Sequence, residues 1–221
     1  MSGQERIGVV TGSAEAAALL ARLPAARAIR PEEMDAADLT GLDRVVDAAH
    51  PFDARAHWRL HRLAGARGVP VLHLRRPGYR RQRGDLWTYL PDVASAAQLI
   101  RADARVFATT GGEDLPALRR LKARLFIRRR AARPGLCPLP GAVYLGGAGP
   151  FSVAQEMRLM RRLGIDWLVT RDAGGAGSYP KLVAARRLKI RVALIARPHA
   201  PPGPIVRTPE EAVEWLIRAG S

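Results

Sequence analysis

Short apolar runs rich in β-formers alternate with helical patterns along this whole chain, and few folds accept that rhythm. It predicts βαβ units with parallel strands, because a crossover helix returns the chain to the end from which the next parallel strand must start. In the first half, 6–10, 26–29, 44–47 and 70–74 read as strands, with helices at 13–23, 31–39 and 53–68 between them. Pro24 and Gly68 supply helix stops. Residues 75–91 break the rhythm with glycine, proline and dense charge, so they read as a loop that ends in a short strand at 87–90. After a helix at 92–101, strands at 105–109, 124–128, 142–145, 167–170 and 191–195 alternate with helices at 115–121, 152–163 and 179–188. Residues 209–219 predict a terminal helix that could pack on either half. The expected fold is α/β, two halves with parallel sheets, 1–102 and 103–221.

Composition narrows the setting. With 221 residues, 48% of them hydrophobic, the chain can bury a core. Its longest apolar runs, such as 16–21, end at arginine, far short of the roughly 20 residues of a membrane span. The N-terminus enters a strand without the basic and cleavage regions of a secretory leader. The single cysteine, Cys137, rules out an internal disulfide and a cysteine-rich metal site. A cytoplasmic protein is expected, with no membrane and no metal, and a monomer is the working expectation.

The net charge is +16, and all but three of the 36 basic residues are arginine, the lysines being Lys122, Lys181 and Lys189. The arginines are dispersed and lack the interleaved aromatics of a single-strand-binding platform, so nucleic acid is not the expected partner. A small polyanion, such as a phosphorylated cofactor or a polycarboxylate, fits the same charge through bidentate hydrogen bonds.

Ligands of open α/β sheets bind beyond the carboxyl ends of the strands. Here those ends carry glycine- and hydroxyl-rich corners. Thr11, Gly12 and Ser13 join the first strand to the first helix, where backbone amides can meet a phosphate; an ordinary turn capped by Ser13 fits equally. The next strand runs out at Arg30, 18 residues after Gly12, near where NAD-binding proteins place an acid; arginine there favours a 2′-phosphate. In Val45–Phe52 a buried strand runs into Asp47 and then His50-Pro51, and the proline holds His50 on an extended corner where an imidazole can bind a carboxylate or deliver a proton. The stretch 167–182 passes Arg171, Asp172, Gly174 and Gly175 to reach Tyr179 and Lys181. Tyr179 and Lys181 lack the spacing of the tyrosine–lysine pair of short-chain dehydrogenases. No GxSxG, HExxH, Walker A or paired CxxC sequence is present.

Four of these corners together resemble the precorrin-6A reductase family of cobalamin biosynthesis: DAAHPF at 47–52, TTG at 109–111, GPF at 149–151, and RDAGG at 171–175 followed by Lys181-Leu182. The order matches, and the resemblance runs from the first strand to Arg197-Pro198. The chain departs from the family pattern at Thr11–Glu15 (TGSAE for GGTxE), at Ala49 for threonine, at Gly112 for arginine or serine, and at Arg171 for lysine.

The resemblance implies two Rossmann-like domains, the N-terminal one on the NADPH side, with an interdomain ligand cleft for the cofactor and a polycarboxylate tetrapyrrole. It implies hydride transfer from NADPH to a double bond of precorrin-6A, giving precorrin-6B. His50 and Lys181 are expected at the reacting face. Thr11, Gly12, Ser13, Arg30, Thr109, Thr110 and Gly111 are expected at the cofactor. Phe52, Phe151, Arg171, Asp172, Gly174, Gly175 and Tyr179 are expected at the substrate. Another NADPH-dependent reductase on the same scaffold, or a non-catalytic two-lobed anion-binding protein, would share most of these features.

Overall fold

The computed structural model describes residues 5–131, 135–147 and 149–219. In chain order the elements are β1 (Ile7–Val10), α1 (Ala14–Arg22), β2 (Arg27–Ile29), β3 (Arg44–Asp47), α2 (Ala54–Gly65), β4 (Val71–Leu74), β5 (Trp87–Leu90), α3 (Ala96–Leu99), β6 (Arg105–Ala108), α4 (Leu115–Leu118), β7 (Arg124–Arg129), β8 (Val143–Gly146), α5 (Val153–Arg162), β9 (Trp167–Arg171), α6 (Pro180–Leu188), β10 (Arg191–Ile195), β11 (Ile205–Val206) and α7 (Pro209–Ala219). Side chains fix most helix starts. Ser13 accepts from the Ala16 amide and Asp53 from the Ala56 amide. Ser152 and Gln155 form a reciprocal capping box on α5.

The chain divides into two compact units. Unit 1 comprises 1–77 and 198–221, and unit 2 comprises 78–197. The division differs from the expected boundary at 102 for a topological reason: β5 pairs with β10, and the chain then returns so that β11 pairs with β4. Every strand pairing among the described residues is parallel.

In unit 1 the strand order is β11-β4-β3-β1-β2. Read from β2, it is the 2-1-3-4-5 order of one common doubly wound sheet, whose direction reverses between β1 and β3. Alternation along the strands sends Val10 and Val45 to the face covered by α2, with Ala56 and Leu60. Val9, Val46 and Leu72 face the other way, packing with Leu19 of α1 and with Ala212 and Leu216 of α7. The terminal helix therefore belongs to unit 1.

In unit 2 the order is β5-β10-β9-β6-β7-β8. Read from β8, it reproduces the 3-2-1-4-5-6 order of dinucleotide-binding sheets, with β5 in the sixth place although it comes first in sequence. The reversal lies between β6 and β9. Phe107, Phe126 and Leu168 build its core with Leu182 of α6 and Met160 of α5.

Three expected helices are shortened or absent, and local aspartates explain two of them. Residues 31–39 hold only a 3-10 turn at Ala37–Leu39, because Asp35 accepts from the Ala37 amide (2.7 Å) while Asp38 accepts from the Asp35 amide (2.8 Å). Asp92 accepts from both the amide (2.7 Å) and the hydroxyl (2.8 Å) of Ser95, and the helix expected over 92–101 shrinks to α3. Such bonds offer the backbone an alternative to the helix ladder. The helix expected over 115–121 stops at Leu118. None of the helices among the described residues is long and apolar enough to cross a membrane.

Gly12 has φ +120°, and a Cβ there would stand 3.4 Å from the His50 amide nitrogen. Gly12→Ala is expected to cost about 1–3 kcal/mol. Gly65→Ala, at a helical position where a Cβ meets nothing within 4 Å, is expected to stabilise by up to about 1 kcal/mol. Urea unfolding of both variants checks the contrast.

Candidate functional site

At the switch point of unit 1 the turn after β1 lies against the turn after β3. Thr11 is fixed by its amide and hydroxyl, which both donate to the Ile29 carbonyl at 2.9 and 3.1 Å. Ser13 does more than cap α1: its hydroxyl also donates to the Ala48 carbonyl at 2.7 Å, joining the two turns. Thr11 and Ser13 thus spend their hydroxyls on the fold, and what the turn offers a ligand is backbone. Arg30 follows β2 on the surface, 3.7 Å from Glu33.

The corner carrying His50 rests on a buried carboxylate. Asp47 accepts from His57 Nδ1 at 2.7 Å and His73 Nδ1 at 3.0 Å, and all three side chains are about 1% exposed. Burial works to raise the Asp47 pKa, but the two imidazole hydrogen bonds outweigh it and hold the carboxyl below the usual carboxylate range. His57 Nε2 lies 3.2 Å from the His50 carbonyl, which also accepts from the Asp53 amide at 2.8 Å. His50 Nδ1 accepts from the Phe52 amide at 3.2 Å. In the neutral ring that bond puts the proton on Nε2. Phe52 is half-buried, its ring centroid 6.2 Å from that of His50.

At the switch point of unit 2 the ends of β6 and β9 meet. Thr109 donates its hydroxyl to that of Thr170 at 2.8 Å, while the buried Thr110 Oγ1 has no hydrogen-bond partner among the described residues. Gly111 adopts φ +146°. Arg171 pairs with Glu113 at 2.7 Å and Asp114 at 2.6 Å, tying β9 to the turn after β6. Where a Gly112 Cβ would stand, Arg129 Nη1 lies 2.6 Å away.

The loop after β9 is held by its own unit. Asp172 accepts from the Tyr79 amide at 2.7 Å, and the Tyr79 hydroxyl donates to the Gly174 carbonyl at 3.0 Å. Gly174 and Gly175 take φ +67° and +81°, which glycine alone adopts at little cost. Tyr179 accepts from Arg186, whose guanidinium also pairs with the buried Asp85.

Lys181, 9% exposed at the start of α6, donates to the Ser178 carbonyl at 3.0 Å. Burial brings its pKa down to about 8, with Arg128 and Arg130 acting the same way and Glu156 opposing them. Glu156 is buried and bidentate to Arg128, whose guanidinium lies between the rings of Phe107 (4.7 Å) and Phe151 (4.1 Å). Phe151 of the GPF corner thus stacks on Arg128, and the Arg128–Glu156 pair acts on Lys181 of the glycine loop through its field. Sequence reading misses Arg128 and Glu156, and equally His57 and His73, because each is an ordinary helix or strand residue until the sheet brings it to its partner.

Many arginines serve the fold as planar cations. Arg44 lies over Trp215, Arg105 and Arg124 over Phe126, Arg129 over Tyr144 and Arg191 over Trp167. Lysine lacks that stacking geometry.

Two expectations follow from the buried charges. Asp47→Asn should cost roughly 3 kcal/mol near neutral pH. A carboxyl with a lowered folded pKa stabilises fully above its unfolded value, so this difference should shrink as pH falls below 3.8. Urea titrations across acid pH test it. Lys181 is opposite in sense: between pH 8 and 10.5 the unfolded chain binds the proton that the folded one has lost. Wild-type stability relative to Lys181→Met should therefore rise with pH across that window.

Residues 29–217 match the family described as Precorrin-6x reductase CbiJ/CobK. A precorrin-6A reductase from Rhodococcus erythropolis is 40% identical over 162 residues, 73% of this chain and 65% of the relative. One from Rhodobacter capsulatus is 37% identical over 82% of this chain and 73% of the relative. This chain thus spans just under two thirds of the first relative's length. A solved structure titled CobK precorrin-6A reductase superposes with TM-score 0.90 at 31% identity, covering 98% of each chain.

Proposed function

The chain belongs to the precorrin-6x reductase family, and from that premise we propose that it reduces precorrin-6A to precorrin-6B with NADPH, as a cytoplasmic enzyme of corrin synthesis. The observation that carries the reading is convergence. Corners separated by 61 residues of sequence, Thr109 and Thr170, share a hydrogen bond at the one place in the unit 2 sheet where crossovers diverge.

The residues present suit a dinucleotide. Gly12 leaves the backbone open beside the His50 amide, and Thr110 keeps a buried hydroxyl without a partner among the described residues, beside Gly111 at φ +146°. We assign cofactor contacts to Thr11–Ser13 through backbone, to Arg30 for a 2′-phosphate, and to Thr109–Gly111. NADPH supplies the hydride that saturates one C=C bond of the macrocycle, and a proton completes the addition.

The chain's own part is binding, orientation and proton delivery. Lys181, with a pKa of about 8, is mostly cationic at neutral pH, so it can hold a carboxylate arm or release a proton to the carbon of the double bond that does not take the hydride. His50 presents Nε2–H at a corner fixed from beneath by His57. Phe52, Phe151, Gly174, Gly175 and Tyr179 shape the apolar and backbone surfaces proposed to meet the macrocycle. Arg171 and Asp172 act by bracing those loops through the ion pairs and amide bond described above. The free thiol of Cys137 accords with a reducing compartment.

Anaerobic turnover of precorrin-6A with NADPH or NADH tests the reading. NADPH-dependent spectral change is expected, with NADH poorer and Arg30→Ala narrowing the gap. If Lys181 is the acid, kcat declines above about pH 8 and Lys181→Met removes that limb along with roughly 10²-fold of the rate. Normal turnover in both Lys181→Met and His50→Ala overturns their catalytic assignment.

A further inference from the structure

We propose that Arg75 is an anion receptor: its guanidinium takes a pair of ligand oxygens, carboxylate or phosphate, at the carboxyl edge of the unit 1 sheet. Arg75 is the first residue after β4, on the edge where ligands of open α/β sheets bind. It is two residues beyond His73, so alternation points both side chains to the face of the sheet that carries Asp47 and α2.

The guanidinium has an unusual hydrogen-bond account. Nε and Nη2 are both shielded from solvent, and neither has a hydrogen-bond partner among the described residues. These two nitrogens form the side-on fork of arginine, whose parallel N–H groups match the two oxygens of a carboxylate or phosphate. Its neighbour Arg76 differs: it reaches Glu15, in the first turn of α1, at 2.5 Å. The nearby anion for Arg75 is Asp47, but its Oδ2 already takes both imidazoles and its Oδ1 the Ala49 amide. Asp47 therefore acts on Arg75 through its field and not through a hydrogen bond, while burial disfavours the cation.

A buried fork without an acceptor is costly, since each unmet charged donor forfeits its hydration. Apolar residues of similar length would pack the position at lower cost. That combination characterises binding groups, where the free protein carries an expense that the ligand relieves. The source of the anion rests on the proposed function: a phosphate of the cofactor or a carboxylate arm of the tetrapyrrole.

The test uses the full chain with Arg75→Met, which removes charge and fork, and Arg75→Lys, which keeps the charge only. Thermal unfolding is followed with and without pyrophosphate and with and without citrate. NADPH affinity is measured by fluorescence titration, and KM for precorrin-6A by its spectrum. Arg75→Met is expected to be at least as stable as wild type without ligand, to lose stabilisation by one of the anions, and to bind the matching ligand roughly 10-fold more weakly or worse. Arg75→Lys should fall between them. A loss confined to NADPH identifies a phosphate, and a loss confined to precorrin-6A identifies a carboxylate. Equal responses to both anions in wild type and variants, or no response in any, overturns the proposal. The anion measurements decide it even if precorrin-6A is not turned over, in which case the proposed function fails by itself.

Discussion

Parallel pairing obliges the chain to travel back to the same end of the sheet before each new strand can begin. In both units this gathers the turns that follow the strands along one edge, and at one position in each sheet neighbouring crossovers leave in opposite directions. The two turns at that position have no helix between them. In unit 1 the first of them passes through Gly12 at φ +120°, a conformation a residue with a Cβ adopts only with strain, with the His50 amide of the other turn in contact distance, and in unit 2 two threonine hydroxyls close the gap. The chemistry proposed for this chain is a consequence of those two places.

Buried charge then sharpens each place. In unit 1 the Asp47 carboxylate is stable in the interior because two imidazoles hydrogen-bond to it, and Nε2 of one of them, His57, lies 3.2 Å from the His50 carbonyl. The half-buried His50 of the DAAHPF corner is thereby positioned from the buried Asp47 at its start. In unit 2 Glu156 and Arg128 neutralise one another while Lys181, which feels both charges, is itself buried. Desolvation is what moves its titration toward neutrality.

The positive charge of the chain divides along the same line. Stacked arginines such as Arg105, Arg124 and Arg191 cover aromatic core residues, and Arg171 and Arg186 brace loops through carboxylates. Arg75 is different in having a shielded fork with no acceptor among the described residues. A dispersed arginine excess is thus several separate devices, and composition alone does not distinguish them.

Periodicity in the chain was enough to locate β3, β5 and β10 with their bounds and the other long strands within a residue; for the central strands β1, β3, β9 and β10 the reason is that a buried parallel strand is a continuous apolar run whatever lies beside it. The α1, α2 and α5 starts were legible for a related reason: Ser13, Asp53 and Ser152 act on amides only a few residues away. What periodicity did not show is non-local. β11 is two residues long and exists because β4 offers an open edge, and the unit boundary at 77 follows from β5 crossing to β10. The candidate-site residues on motif corners were visible as glycines, hydroxyls and a His-Pro pair. Their bonded neighbours His57, His73, Arg128 and Glu156 were not, since a hydrogen bond between distant residues leaves no local pattern. Sequence determined which segments could become strands and which turns could carry chemistry; tertiary structure decided which of those turns meet, because strand order fixes neighbours that chain order does not.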